Sequence, residues 1–81
     1  MTIRVLAFAR LREILRGGEL RLVLPDAASA NDAWIALARN HPSLEPERRT
    51  TRVARNGQLV AFDEALSDGD ELSLLPPVGG G

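Results

Sequence analysis

The stretch "RVARNGQLVAFDEALSDGDELSLLPPVGGG", residues 52–81, decides how this chain folds. Two strand-like runs flank Asn56-Gly57, a dipeptide whose residues both accept positive φ and therefore close a two-residue hairpin. Arg55 shares a strand face with Val53, which places the position near a sheet edge. "DEALS" then leads into Asp68-Gly69-Asp70, where glycine supplies a turn. "ELSLLPPV" (71–78) is the last strand, with Leu72 and Leu74 on one face and Ser73 and Leu75 on the other. Pro76 and Pro77 have no backbone donors and end its pairing. Three glycines follow.

Upstream, "TIRVLAFA" is β-branched and apolar and reads as a strand. Ile3, Val5 and Ala7 fall on one face, Leu6 and Phe8 on the other. The period then changes. Leu11, Ile14 and Leu15 sit at i, i+3, i+4, a short helix stopped by Gly17 and Gly18. "ELRLVL" alternates Leu20, Leu22 and Leu24 against Glu19, Arg21 and Val23. So short a connection favours an antiparallel return. Ser29 with Asp32 forms a capping box, and the helix it starts carries Ala30, Ala33, Trp34, Leu37, Ala38 and His41 on one stripe. Pro42 stops that helix, and "SLEPERRT" is a loop with room for a single turn. The order is strand, short helix, strand, long helix, hairpin, strand. This is an α+β arrangement with the look of a ubiquitin-like β-grasp, a mixed sheet wrapped on one main helix. Residues 1–78 form the domain and 79–81 a flexible glycine tail, with the first and last strands expected side by side.

Eighty-one residues make one domain with a small core. The absence of cysteine removes disulfides, thiolate metal sites and nucleophilic thiols. Ten basic and eleven acidic residues are interspersed, which leaves no basic face for nucleic acid. No apolar run spans a bilayer, and the N-terminus does not read as a signal peptide, so a cytoplasmic protein is expected. All the basic residues are arginine, a bias that codon usage in a GC-rich genome accounts for.

The chain offers no catalytic constellation. His41 ends a helix, where the macrodipole favours it, and no Cys, Lys or second His stands ready to pair with it. The acidic residues Asp63, Glu64, Asp68, Asp70 and Glu71 lack the spacing of a calcium loop, so no metal site is expected. Two features remain. Phe8, Leu59 and Leu75 fall on the sheet face away from the helix, which should otherwise be polar. Either a partner covers them or the segment 42–52 folds over them. The tail is the other. Gly79, Gly80 and Gly81 can thread a channel too narrow for any Cβ, Pro76 and Pro77 fix its direction, and it presents an α-carboxylate that becomes reactive once esterified.

"FARLRE" (8–13), "ARNGQLVAFDEALSDGDELSLLPPV" (54–78) and the terminal Gly-Gly resemble the small subunit of molybdopterin synthase, the MoaD family, over essentially the whole chain. The resemblance implies a sulfur carrier of ubiquitin-like fold that binds no cofactor of its own. It implies that a MoeB-type partner uses ATP-Mg to adenylate Gly81 and that a persulfide donor converts it to a thiocarboxylate. The large synthase subunit, in a heterotetramer, would then take up the tail and pass sulfur to cyclic pyranopterin monophosphate. Gly80 and Gly79 would give access, and Phe8, Leu59, Leu75, Pro76, Pro77 and Val78 would form the docking patch. Gly79 stands where the family usually has a side chain, and Leu75 where an aromatic is often found. A carrier for thiamine or cysteine biosynthesis and a ubiquitin-like protein modifier are the alternatives. An activated Gly81 would meet no lysine on its own domain.

Overall fold

The computed structural model describes residues 1–77, and Val78 to Gly81 lie outside the described residues. The elements follow the expected order. Strand β1 (Thr2–Ala7) leads to helix α1 (Ala9–Leu15), strand β2 (Glu19–Val23) and helix α2 (Ala30–Asn40). A 3-10 helix (Pro42–Glu47) precedes the hairpin β3 (Arg52–Arg55) and β4 (Gln58–Val60), and β5 (Glu71–Leu75) closes the domain. The five strands form one sheet in the order β2-β1-β5-β3-β4. β1 and β5 run parallel at its centre, while every other neighbouring pair is antiparallel. This is a ubiquitin-like β-grasp. Among the described residues, no helix is long and apolar enough to cross a membrane.

One face of the sheet carries the core. Ile3 and Val5 of β1, Leu72 and Leu74 of β5 and Val53 of β3 are all buried against the helices. α2 meets them with Ala30, Ala33, Trp34, Leu37 and Ala38. The three alanines let the helix lie close to the sheet, and Trp34 fills the remaining space. Its ring meets Phe62 edge-on at 6.1 Å, while the Arg48 guanidinium lies 3.3 Å over the Phe62 ring centroid. The capping box is formed as read. The Asp32 amide donates to Ser29 Oγ at 3.1 Å, and Asp32 Oδ2 accepts from the Ser29 amide at 2.8 Å. His41 caps the far end of α2, its amide donating to the Leu37 carbonyl at 2.9 Å.

Three expectations need correction. Arg55 is not at a sheet edge, because β3 lies between β5 and β4. It is tolerated beside the core because its guanidinium reaches acidic partners at the rim. α1 ends one residue before the glycines: Arg16 itself takes the left-handed conformation at φ 59°, and Gly17 and Gly18 only follow. The segment after Pro42 is more than a loop with a turn. It winds into the 3-10 helix and delivers Leu44 into the core with no exposure at all. That segment packs on α2 and α1, and so lies on the helical side of the sheet.

Candidate functional site

With the Pro42–Glu47 helix on the helical side, the other sheet face shows, among the described residues, its own side chains. Strand register arranges them in rows. Arg21 of β2, Arg4 of β1 and Glu71 of β5 stand side by side. The next row runs Glu19, Leu6, Ser73, Ala54 and Leu59 across all five strands. Beyond it, Leu75 of β5 lies opposite Arg52 of β3, and Phe8 continues β1 in extended backbone. The face therefore grades from charged at the start of β5 to apolar at its end.

The two ends differ in how they are satisfied. In the charged half, Arg4 donates to Glu71 Oε2 at 2.7 Å and to Glu19 Oε2 at 3.4 Å, so that one guanidinium is shared by two carboxylates. The apolar half has no such closure. Leu59 is 63% exposed and Phe8 44%, while Ser73 and Ala54 between the strands' larger residues are nearly covered. A water-facing sheet surface of this kind has an energetic reason to be covered, because each exposed large side chain gains roughly 1.5–3 kcal/mol on full burial.

Local backbone sets the margins. Phe8 is the N-cap of α1, and its carbonyl accepts the Leu11 amide at 3.1 Å and the Arg12 amide at 3.4 Å. Ala9 turns the chain with φ 51°. That pairing and turn stop β1 and leave the Phe8 ring projecting. Leu59 is presented by the Asn56-Gly57 turn, whose residues take φ 49° and 86° as the hairpin geometry requires.

The placement of β5 is fixed from beneath by a polar cluster. Arg55 donates from Nε to Asp70 Oδ2 at 2.7 Å and from Nη1 to Glu64 Oε2 at 3.2 Å. Asn56 Nδ2 donates to Asp70 Oδ1 at 2.9 Å, and the Ser67 amide to Oδ2 at 2.7 Å. Asn56 Oδ1 also accepts the Glu71 amide at 2.9 Å. Burial alone would raise the Asp70 carboxyl, but the hydrogen bonds from Asn56, Ser67 and Arg55 outweigh it and hold the group below its usual range. Glu64, Asp70 and Glu71 are thus bound up in structure. Asp68 likewise accepts the Thr2 amide at 2.7 Å.

Of the residues singled out from sequence, the structure puts Phe8, Leu59 and Leu75 on one face: Phe8 just past β1, Leu75 at the end of β5, and Leu59 on edge strand β4 in the row of Ser73, with half-buried Pro76 and exposed Pro77 following Leu75. Val78, Gly79, Gly80 and Gly81 lie outside the described residues. Sequence reasoning missed two members of this surface, Ala54 and Arg52. The signal was present: once Val53 is assigned to the core, alternation sends its neighbours outward.

Residues 5–81 match the ThiS family. The molybdopterin synthase sulfur carrier subunit of Chlamydomonas reinhardtii is 37% identical over 83 residues, covering all of both chains. The small archaeal modifier protein 1 of Haloferax volcanii is 38% identical, covering 91% of this chain and 94% of its own. Its crystal structure superposes with a TM-score of 0.84 over the full length of both chains. A Helicobacter pylori complex of subunits 1 and 2 of molybdopterin-converting factor contains a chain that matches at a TM-score of 0.69 and 26% identity, covering all of both chains. The β-grasp sheet, the C-terminal sequence block and these full-length similarities agree, and the chain belongs to the ThiS/MoaD family.

Proposed function

We propose that this protein is a sulfur carrier acting as the small subunit of molybdopterin synthase, with Gly81 as the group that carries the chemistry. One observation supports it most directly. The apolar half of the outer sheet face sits at the end of β5 from which Pro76 and Pro77 lead toward the glycines. A partner that covers Phe8, Leu59 and Leu75 is thereby placed to receive the tail. Family membership and the likeness to one member of a two-subunit converting-factor complex support the same reading.

The chemistry follows from what a carboxylate needs. Gly81 attacks the α-phosphate of ATP-Mg on a MoeB-type partner, which forms an acyl-adenylate and releases pyrophosphate. A persulfide sulfur displaces AMP to give an acyl persulfide. A second thiol then attacks the distal sulfur, forming a disulfide and leaving the thiocarboxylate. In the large synthase subunit that sulfur is transferred to cyclic pyranopterin monophosphate. The domain itself binds neither ATP nor metal. It contributes recognition and a narrow tail, in which Gly79 and Gly80 pass where a Cβ would not fit. The reaction belongs in the cytosol, where ATP and reduced thiols are supplied.

Intact mass tests this. The protein is incubated with a MoeB-type enzyme, ATP-Mg and a persulfide donor. The expected change is replacement of one oxygen by sulfur, absent when Gly81 is deleted. An unchanged mass with an active control carrier would refute the reading. Similarity to a small archaeal modifier protein favours a second reading, transfer of the Gly81 acyl group to lysines of other proteins. Covalent adducts on lysine-bearing targets, formed without sulfur incorporation, would select it.

A further inference from the structure

The apolar half of the outer face contains one charge that the structure leaves uncompensated. Arg52 lies directly opposite Leu75, exposed, at the end of the sheet from which the chain departs. Elsewhere on this face Arg4 is shared between Glu19 and Glu71, and Arg55 beneath it is held by Asp70 and Glu64. Arg21, the other arginine of this face without an ion pair among the described residues, lies on edge strand β2 in the charged row, away from the apolar end. Among the described residues Arg52 forms no ion pair and no side-chain hydrogen bond. Its backbone is nonetheless fixed. β3 pairs on both sides, and the preceding residue, Thr51, is buried with its Oγ1 donating to the Glu47 carbonyl at 2.7 Å.

We infer that Arg52 determines which partner the face accepts, by pairing with a carboxylate at the rim of the partner's apolar docking hollow. This inference rests on the reading that the face docks a synthase subunit. A guanidinium carried down against apolar surface without an acceptor opposes association, so a partner lacking that acceptor is rejected. A partner that supplies a carboxylate gains a two-pronged charged hydrogen bond whose geometry fixes the register between the two contacting surfaces. A single arginine in apolar surroundings does not suit a nucleic acid, which requires a run of cations. The matching surface is therefore a protein hollow, apolar at its centre, with an acidic side chain on the side that faces β3. Leu59 and Phe8 supply contact area, and Arg52 supplies discrimination.

The test uses the full chain and the large synthase subunit encoded in the same genome, with affinity and association rate measured across salt concentrations. Arg52→Glu is expected to weaken binding at least about tenfold near 0.1 M salt, mostly through slower association. That loss should shrink to about twofold near 1 M, where the screening length is roughly 3 Å. Arg52→Lys should lose part of the affinity, since an ammonium keeps the charge but not the two-pronged geometry, and Arg52→Gln should lose more but less than Arg52→Glu, with the thermal midpoint of all three unchanged. Leu59→Asp serves as the control for the face itself. If Leu59→Asp abolishes binding while Arg52→Glu binds as wild type, Arg52 does not discriminate and the inference is overturned, with the docking face intact. A loss for Arg52→Glu that is equal at low and high salt also overturns it. If the wild-type chain does not bind the subunit at all, the synthase reading itself fails.

Discussion

Arg55 Nε and Asp70 Oδ2 lie 2.7 Å apart, and through this contact the end of β3 is fastened to the turn that launches β5. The carboxylate is nearly buried and also accepts from Asn56 and the Ser67 amide. Three acceptor contacts at a buried site make Asp70→Ala costly, by about 2–3 kcal/mol, because the donors are left facing nothing. The loss should appear as a lower urea midpoint with an unchanged slope.

The same carboxylate gives the fold an acid sensitivity. Its folded-state pKa is depressed. Its contribution is therefore complete above the unfolded value, about 3.9, and is lost as pH falls from there through the folded value. The Arg55 value is raised, chiefly by its hydrogen bond to Asp70, and so it stays charged throughout this range. Urea midpoints measured from about pH 6 down to pH 3 should fall more steeply for wild type than for Asp70→Asn. Parallel curves would show that Asp70 titrates alike in folded and unfolded chains.

Leu44 and Leu59 are the same residue type in opposite settings. Leu44→Ala removes a fully buried side chain and should cost about 3 kcal/mol, enough to lower the thermal midpoint by on the order of 10–20 °C. Leu59→Ala should stay within about 0.5 kcal/mol of wild type, since that side chain already faces water. Calorimetric scans of the two variants side by side check both values.

Backbone conformation predicts substitutions of opposite sign. Gly57 has φ 86°, and a methyl group placed there would meet only open space, so Gly57→Ala should destabilise by about 1 kcal/mol through the backbone alone. Arg16 holds a left-handed conformation that glycine adopts freely, so Arg16→Gly should stabilise the domain, by about 0.5 kcal/mol after the added flexibility of the unfolded chain. Chemical denaturation resolves differences of this size.

Phe8→Arg should leave the fold intact and weaken docking of the large subunit by at least about tenfold, because it carries a charge into an apolar contact. The capping bonds at Phe8 come from its backbone carbonyl and survive the change. Titration calorimetry gives the affinity, and circular dichroism confirms that the variant is folded.

The parts of this fold that are legible in the sequence are those set by local chemistry. Asn56-Gly57 declares its turn, Ser29 and Asp32 declare a helix start, and alternation in β1 separates Ile3 and Val5 from Leu6 and Phe8. What is not legible depends on tertiary partners. Arg55 looks out of place in its strand because Asp70 and Glu64 are nine to fifteen residues away. Leu44 is one leucine between two prolines and carries no periodicity, so nothing local marks it as core. The glycine pair is the stronger local signal for the stop of α1, although Arg16 makes the turn. The outer sheet face is half legible for the same reason: its residues follow from alternation, whereas its gradient from charged to apolar emerges only from strand register.

β1 and β5 are the central neighbours of the sheet, yet Val5 and Leu72 stand 67 positions apart. As the chain emerges from the ribosome, β1 and β2 can pair early, but the middle of the sheet stays open until β5 arrives. The last strand made is the keystone, and the same strand leads into the tail. A nascent or prematurely ended molecule therefore lacks the Leu6, Ser73, Ala54, Leu59 row that a partner would grip. Under the proposed function, recognition of this surface would also proofread synthesis, admitting only molecules that have been translated to the end of the domain.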